Sequence, residues 1–272
     1  MRPITRRFAP MALAAALLIG LVPAVAAAES ADTSTAAVAA AEQGALTLTN
    51  KRRSEAGLVA LKWDQRVADL AKQRAEYMAA ADDMSHIQAD GTDVFDMIDA
   101  SGIKWFGAGE ILAWNNAADL DYSVAFAVQG WMGSPPHKAI VRSSGYNYVG
   151  FGMAISPESG RRYWAGVYLK GPDRTSTWTR VAPIRKTNLD STRARVTVDW
   201  SGGDTRLQVL TSGLRYYQVQ ARRDGGPWST YDTTTSSVLT RTWLRGHVVN
   251  VRIRSRDKAG NWSGWTTVTL RT

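Results

Sequence analysis

The stretch "NYVGFGMAISPESGRRYWAGVYLK", residues 147–170, changes the period of the chain. Val149, Phe151, Met153 and Ile155 fall on one side of an extended segment, with only glycine and alanine between them. "SPESG" supplies a turn, and "RRYWAGVYLK" returns as a second extended run, so the pair reads as a β-hairpin. Upstream the spacing is helical; downstream it is strand-like throughout. The hairpin thus predicts an α+β first domain, helices around a small antiparallel sheet, and marks where the architecture changes.

Working back from the hairpin, "HKAIVRS" is a short helical turn. "DLDYSVAFAVQGWM" is a helix with Val124, Ala127, Val128 and Trp131 on one face. "KWFGAGEILAW" holds glycines on both sides of Ala108 and reads as a turn leading into an extended piece. Asp93 is placed to cap "VFDMIDASG". Asp64 is placed to cap "QRVADLAKQRAEYMAAADDM", where Val67, Leu70, Ala71, Ala75 and Met78 recur at helical spacing. "ALTLTNKRRSEAG" is a short helix stopped by Gly57, which suits a left-handed cap. The first domain is expected over residues 45–171.

Working forward, 172–182 reads as a linker. Beyond it "RARVTVDW", "LRYYQVQARRDGG", "SVLTRTWL", "VVNVRIRSRDKAGNW" and "WTTVTLRT" are short alternating runs between Gly, Asp and Asn turns. That is the signature of an all-β sandwich, expected over 183–272.

The first 28 residues read as a secretory signal peptide: "MRPITRRF" is basic, "ALAAALLIGLV" apolar, and "AVAAAES" small enough for cleavage. The general secretory route fits better than a twin-arginine one. Residues 29–44 read as a mobile lead-in. No other apolar run approaches the ~20 residues that span a bilayer, so a secreted, extracellular protein without a transmembrane segment is expected. The absence of cysteine excludes a disulfide framework and any thiolate ligand or nucleophile.

The net charge of +9 divides unevenly. Residues 29–174 carry 14 basic and 18 acidic side chains, whereas 175–272 carry 16 basic and 6 acidic, and 14 of those cations are arginine. The second half calls for an anionic partner. For an exported chain, acidic cell-wall polymer suits it better than nucleic acid. Trp262 and Trp265 flank the "GNWSGW" turn, where an indole beside arginine suits carbohydrate or anionic polymer, with a solvated basic face as the default reading.

Three polar residues sit beside the apolar helices of the first domain: His86, Glu110 and His137. Two imidazoles and a carboxylate make a set for a zinc-like divalent ion, although their wide separation gives no diagnostic spacing. From the residues alone, ordinary polar roles at the rim of the core account for them better. "SPPH", residues 134–137, admits three readings: half a nucleophilic site, a metal-binding corner, or a helix end. Pro135 ends the preceding helix by Gly133, and Ser134 then suits the N-cap of the next turn, its hydroxyl accepting from the backbone N–H of His137. His137 in a first helical turn is favoured in the neutral form that coordinates metal. Nothing resembles a nucleophile elbow.

"TNKRRSEAGLVALKWDQRVADLAKQRAEYMA", "SH" at 85–86, "GAGEILAW", "WMGSPPHKAIV", and "YVGFGMA" followed by "YWAGVYL" occur in that order. Residues 46–170 resemble the CAP domain (cysteine-rich secretory, antigen 5 and pathogenesis-related 1 proteins), in its cysteine-free bacterial branch. The resemblance implies an α-β-α sandwich with a central cleft of two histidines and two acids, which binds a divalent metal in some members. His86, Glu110 and His137 match three of the four; the fourth, an acid in relatives, falls on Ser134. The tail is similar to fibronectin type III-like, immunoglobulin-like modules. The resemblance implies lipid or sterol binding, partner recognition or proteolysis without choosing among them.

The expectation is a ligand- or partner-binding module for a lipid-like or cell-envelope ligand. Its cleft would be built on His86, Glu110, Ser134 and His137, with zinc or another divalent ion on His86 and His137, and its basic tail would associate with the wall. The alternative is a metal-assisted extracellular hydrolase with Glu110 as general base.

Overall fold

The computed structural model describes residues 34–272, so the expected signal peptide lies outside the described residues. Two domains follow one another. In the first, α1 (Thr35–Ser54), β1 (Lys62–Trp63), α2 (Gln65–Ala81), α3 (Val94–Ala100), β2 (Gly107–Asn115), α4 (Leu120–Gly133), α5 (Pro135–Val141), β3 (Tyr148–Ile155) and β4 (Arg162–Lys170) build a three-layer sandwich. The sheet order is β1-β3-β4-β2, with β1 parallel to β3 and the other pairs antiparallel.

The alternation in the hairpin sorts its side chains to two faces. Val149, Phe151, Met153, Trp164 and Tyr168 join α1, α4 and α5 in one core. Tyr148, Tyr163, Ala165, Val167 and Leu169 join α2 and α3 in the other. The glycines of "YVGFGM" have a steric reason: a Cβ on Gly150 would lie 2.1 Å from Ala68 N, and one on Gly152 2.2 Å from Lys72 N. The α2 backbone rests directly on β3 at these two positions. Asp64 and Asp93 cap α2 and α3 as expected, Asp93 within a full capping box.

The lead-in expectation for 29–44 is corrected: α1 begins at Thr35, with Ser34 Oγ accepting from Ala37 N. Ala41 and Ala45 are buried, and Gly44 lies beside Val124 of α4. Alanine is the best helix former, and its small side chain lets two helices approach closely. Composition alone made these same residues look mobile.

The second domain contains β5 (Trp178–Val181), β6 (Arg185–Asn188), β7 (Arg193–Gly203), β8 (Leu214–Arg223), β9 (Ser229–Thr234), β10 (Val238–Leu244), β11 (Val248–Asp257) and β12 (Thr266–Arg271). Two antiparallel four-stranded sheets, β10-β7-β5 with β6 also on β7, and β12-β11-β8-β9, close over Val196, Val198, Trp200, Val219, Val251 and Ile253.

The linker expectation for 172–182 is corrected too. Trp178–Val181 pairs with β7, so the sandwich begins before residue 183. The stretch ahead of it is fixed rather than free. Arg174 ion-pairs with Asp64 and stacks 4.3 Å over the Tyr148 ring. From the loop between β7 and β8, Leu207 enters the α2/α3 core, and Gln208 Oε1 accepts from Val59 N at 2.6 Å.

Candidate functional site

Glu110 lies on β2, an edge strand, and shares the sheet face of Leu112 and Ala108. Arg74 reaches it from α2. The buried stripe of that helix is Val67, Leu70, Ala71, Arg74, Ala75 and Met78, so a guanidinium occupies one apolar position. Arg74 is fully buried: its Nε donates to Glu110 Oε1 at 2.8 Å and its NH2 group to the Ser85 carbonyl at 2.6 Å. One side chain thus neutralises the buried carboxylate and ties down the segment carrying His86.

His86 Nδ1 lies 2.7 Å from Glu110 Oε2, while its side chain stays 57% exposed. Since the carboxylate can only accept, Nδ1 carries the proton, and Nε2 is left as the free nitrogen of the ring. The order Arg74–Glu110–His86 is a relay of positions: a buried cation fixes an anion, which fixes an imidazole.

Around His86 and Glu110 lies a cleft of about 440 Å³, walled by Val94, Phe95, Ala108, Gly109, Ile140 and Tyr146, with Ile87 and Asp93 at its side. Ile87 and Phe95 are exposed apolar residues at this cleft. Gly109 is required there, since a Cβ would come 2.8 Å from the Tyr146 hydroxyl, which itself donates to the Ala108 carbonyl. The lining is mostly apolar, with His86, Glu110 and Asp93 as its charged or titratable groups.

Of the four expected residues, His86 and Glu110 meet in the cleft. The lining includes neither Ser134 nor His137. His137 is half-buried, and burial followed by the charge of His86 lowers its pKa, so the neutral ring is favoured by these causes. Ser134 stands at the N-cap position of α5, but its hydroxyl makes no capping bond, which corrects that expectation. Pro136 has no N–H to offer, and the turn is held by Lys138 N donating to the Ser134 carbonyl.

The set expected to hold a divalent ion does not converge as three ligands. Among the described residues, the group of three whose ligand atoms lie within 4.8 Å of one another is Asp173, Asp204 and Asp257, at the domain junction. Those carboxylates accept from the backbone N–H groups of Ser212, Gly213 and Asn261 and hold turns. In the cleft both oxygens of Glu110 are taken, by Arg74 and by His86. Glu110 thus orients the His86 ring from behind.

Arg74 was missed by sequence reasoning. Its signal was present as a charge standing at the apolar spacing of α2. His247, the third histidine, binds Asp224 at 2.6 Å between strands of the second domain. Among the described residues no helix is long and apolar enough to cross a membrane.

The model of the CAP family, described as the cysteine-rich secretory protein family, matches residues 46–168. The chain is 29% identical over 129 residues to the uncharacterized membrane protein YlbC of Bacillus subtilis, covering 47% of this chain and 34% of that one. It is 28% identical over 132 residues to the uncharacterized protein YkwD of the same organism, covering 47% and 49%. The match thus spans between a third and a half of these relatives. Among solved structures, an extracellular protein containing a SCP domain from Bacillus anthracis matches at 23% identity and a TM-score of 0.43, covering 49% of this chain and 41% of that one. A cysteine-rich secretory protein from Staphylococcus aureus matches at 18% and 0.40, covering 50% and 41%. With the motifs in order and the three-layer sandwich that carries them, residues 46–168 of this chain are a CAP domain of the cysteine-rich secretory protein family.

Proposed function

We propose that this is an exported binding protein. Its CAP cleft takes an amphipathic, lipid-like ligand, and its basic domain, read as fibronectin type III-like, associates with anionic polymer at the cell surface. The observation that carries the cleft reading is a mostly apolar lining with few polar groups: the Nε2 edge of His86, with Phe95, Val94 and Ile140 in the same cleft. A pocket mostly apolar, with few placed polar groups, is how proteins hold small ligands in one orientation. Binding is favoured over hydrolysis because Glu110 is spoken for on both oxygens. Export is supported by the basic and apolar order of the first 28 residues. Zinc or a similar ion belongs to this reading only as a secondary element, with His86 and His137 as the imidazoles that would ligate it.

A fluorescent long-chain fatty acid tests the cleft, with a zinc titration run beside it. The expected result is saturable binding to the wild type, weakened at least about tenfold by Phe95→Ala and by His86→Ala, as the loss of about 1.4 kcal/mol would give. Absence of saturable binding, or equal binding by both variants, overturns the ligand reading. Equal, negligible zinc uptake by wild type and His137→Ala removes the metal from it.

A further inference from the structure

The outer face of the sheet β12-β11-β8-β9 carries a continuous stack of arginine on tryptophan. Along β11, Arg252, Arg254 and Arg256 point outward, while Val251, Ile253 and Ser255 between them are buried. The Arg252 guanidinium lies 4.2 Å from the centre of the Trp228 ring and 4.3 Å from that of Trp265. Arg254 lies 4.4 Å from Trp265 and 3.9 Å from Trp262. Arg222 continues the stack on Trp228 at 4.6 Å, and Arg256 ends it on Trp262 at 5.1 Å. Cations and indoles alternate without a break across the face.

Among the described residues, no carboxylate pairs with the arginines of this stack. Their hydrogen-bond acceptors are neutral: Gln220 for Arg252, Gln218 for Arg254, Asn250 for Arg222, and the Gly260 carbonyl for Arg256. Elsewhere in the same domain Arg185 and Arg193 do meet carboxylates, at 2.7 Å each. The pKa of Arg252 is lowered by desolvation and then by the neighbouring charges of Arg254 and Arg222. Like charges held side by side without compensation cost free energy, which stacking on indole opposes. An anion laid along the stack would recover that cost.

We propose that this arginine–tryptophan face is the docking surface for a linear phosphodiester polymer of the glycerol-phosphate type, bound through its phosphates. This rests on the reading of the basic domain as a surface-binding module. Alternate residues of a strand repeat at about 6.7 Å, and a glycerol-phosphate chain repeats its charge after as many backbone bonds as two residues of polypeptide contain. Guanidinium is the side chain suited to phosphate, and stacking fixes its plane before the ligand arrives. The same stacking covers the indoles. Trp228, Trp265 and Trp262 each have guanidinium groups of two arginines against them, so they offer poor platforms for bases, from which single-stranded nucleic acid binders draw much of their affinity.

The test is calorimetric titration of the full chain with purified poly(glycerol phosphate) and, separately, with oligothymidylate, at low and high salt. Arg252→Gln/Arg254→Gln removes two charges from the stack. Arg180→Gln/Arg195→Gln removes two from the exposed side of the other sheet, opposite Ser201 and Thr242, and leaves the stack alone. The expected result is salt-sensitive binding of poly(glycerol phosphate), at least about tenfold weaker in the first variant and within about twofold of wild type in the second. Equal weakening in both variants overturns the stack as the site while leaving a basic, surface-binding domain. No binding to the wild type overturns both readings. Oligothymidylate binding as tight as poly(glycerol phosphate) transfers the face to nucleic acid and overturns the proposed partner. Unchanged near-ultraviolet circular dichroism in each variant shows that binding, not folding, has been read.

Discussion

The two domains treat arginine in opposite ways. In the CAP domain Arg53 and Arg74 have no exposed surface, and each has fixed partners: carbonyls of Val59, Val141 and Ser143 for the first, Glu110 and the Ser85 carbonyl for the second. In the sandwich Arg222, Arg252, Arg254 and Arg256 are partly exposed, stacked on indole and without carboxylates. A buried guanidinium must be satisfied by the fold itself, so its charge is spent on structure. A stacked guanidinium keeps part of its fork toward solvent, where its charge remains available to a partner. The same residue type is a joint in one domain and a contact surface in the other.

The comparison breaks first at Arg74. If its charge is structural, Arg74→Met leaves the buried Glu110 carboxylate without its guanidinium, with only His86 on Oε2, and costs about 3–5 kcal/mol. Urea denaturation followed by circular dichroism reads this directly. A loss below about 1 kcal/mol would mean that the Arg74–Glu110 pair is not the joint described. Replacing both partners, as Arg74→Met with Glu110→Leu, is expected to recover much of the stability while freeing the His86 ring, which separates the joint from the site it supports.

Asp64 sharpens the comparison at the boundary between domains. It caps α2 and also pairs with Arg66 and with Arg174 beyond the end of β4. Burial alone would raise its pKa, but the two arginines outweigh it and hold the carboxyl below its ordinary value. A carboxyl depressed in the folded state contributes stability above its unfolded pKa of about 3.9, and that contribution is lost as pH falls through the folded value. Asp64→Asn keeps a good cap and removes the charge. It is expected to cost about 1–3 kcal/mol at pH 7, with wild type and variant converging below pH 4. A difference that persists in acid would place the effect in packing rather than in the ion pairs.

What the sequence made legible follows the same division. Alternation in "YVGFGM" and the hairpin turn gave the sheet, because a period of two is local. His86 and Glu110 were recognisable, and the cleft brings them together. Arg74 was not, because its partner lies on another strand 36 positions away and helical spacing describes it equally well as a solvated residue. Ser134 was read as a cap because its neighbours suit one, yet the hydroxyl makes no such bond; a rotamer is not written in a motif. The lead-in and linker failed for a related reason. Small and polar residues at 35–44 and 172–182 look mobile until a partner surface exists, and those surfaces, α4 in one case and β7 with Asp64 in the other, come from distant parts of the chain.

Trp265 probes the other side of the comparison with a smaller effect. It lies between Arg252 and Arg254 in the middle of the stack. Each cation–π contact at a half-exposed site is worth about 0.5–1 kcal/mol, so Trp265→Ala should cost about 1–2 kcal/mol in thermal or urea denaturation. A cost approaching that of Arg74→Met would make the stack a structural joint like the one in the CAP domain, and the two arginine classes would merge.

The smallest effect is the most discriminating. Arg254→Gln removes stacking on two indoles, which destabilises, and one charge from an uncompensated row, which stabilises. These oppose one another, so the net change should be within about 0.5 kcal/mol at low salt, the range of ordinary surface substitutions. Salt separates the two contributions. Raising ionic strength from 0.01 M to 1 M shortens the screening length from about 30 Å to about 3 Å. That screening relieves repulsion in the wild type but leaves stacking largely intact, so the variant should become the less stable of the two as salt rises. Arg74→Met, whose charge is out of reach of solvent ions, should show the same deficit at both ends of the titration. If Arg254→Gln instead has a deficit independent of salt, then the charges of the stack are already compensated, and the availability that distinguishes the second domain from the first is lost.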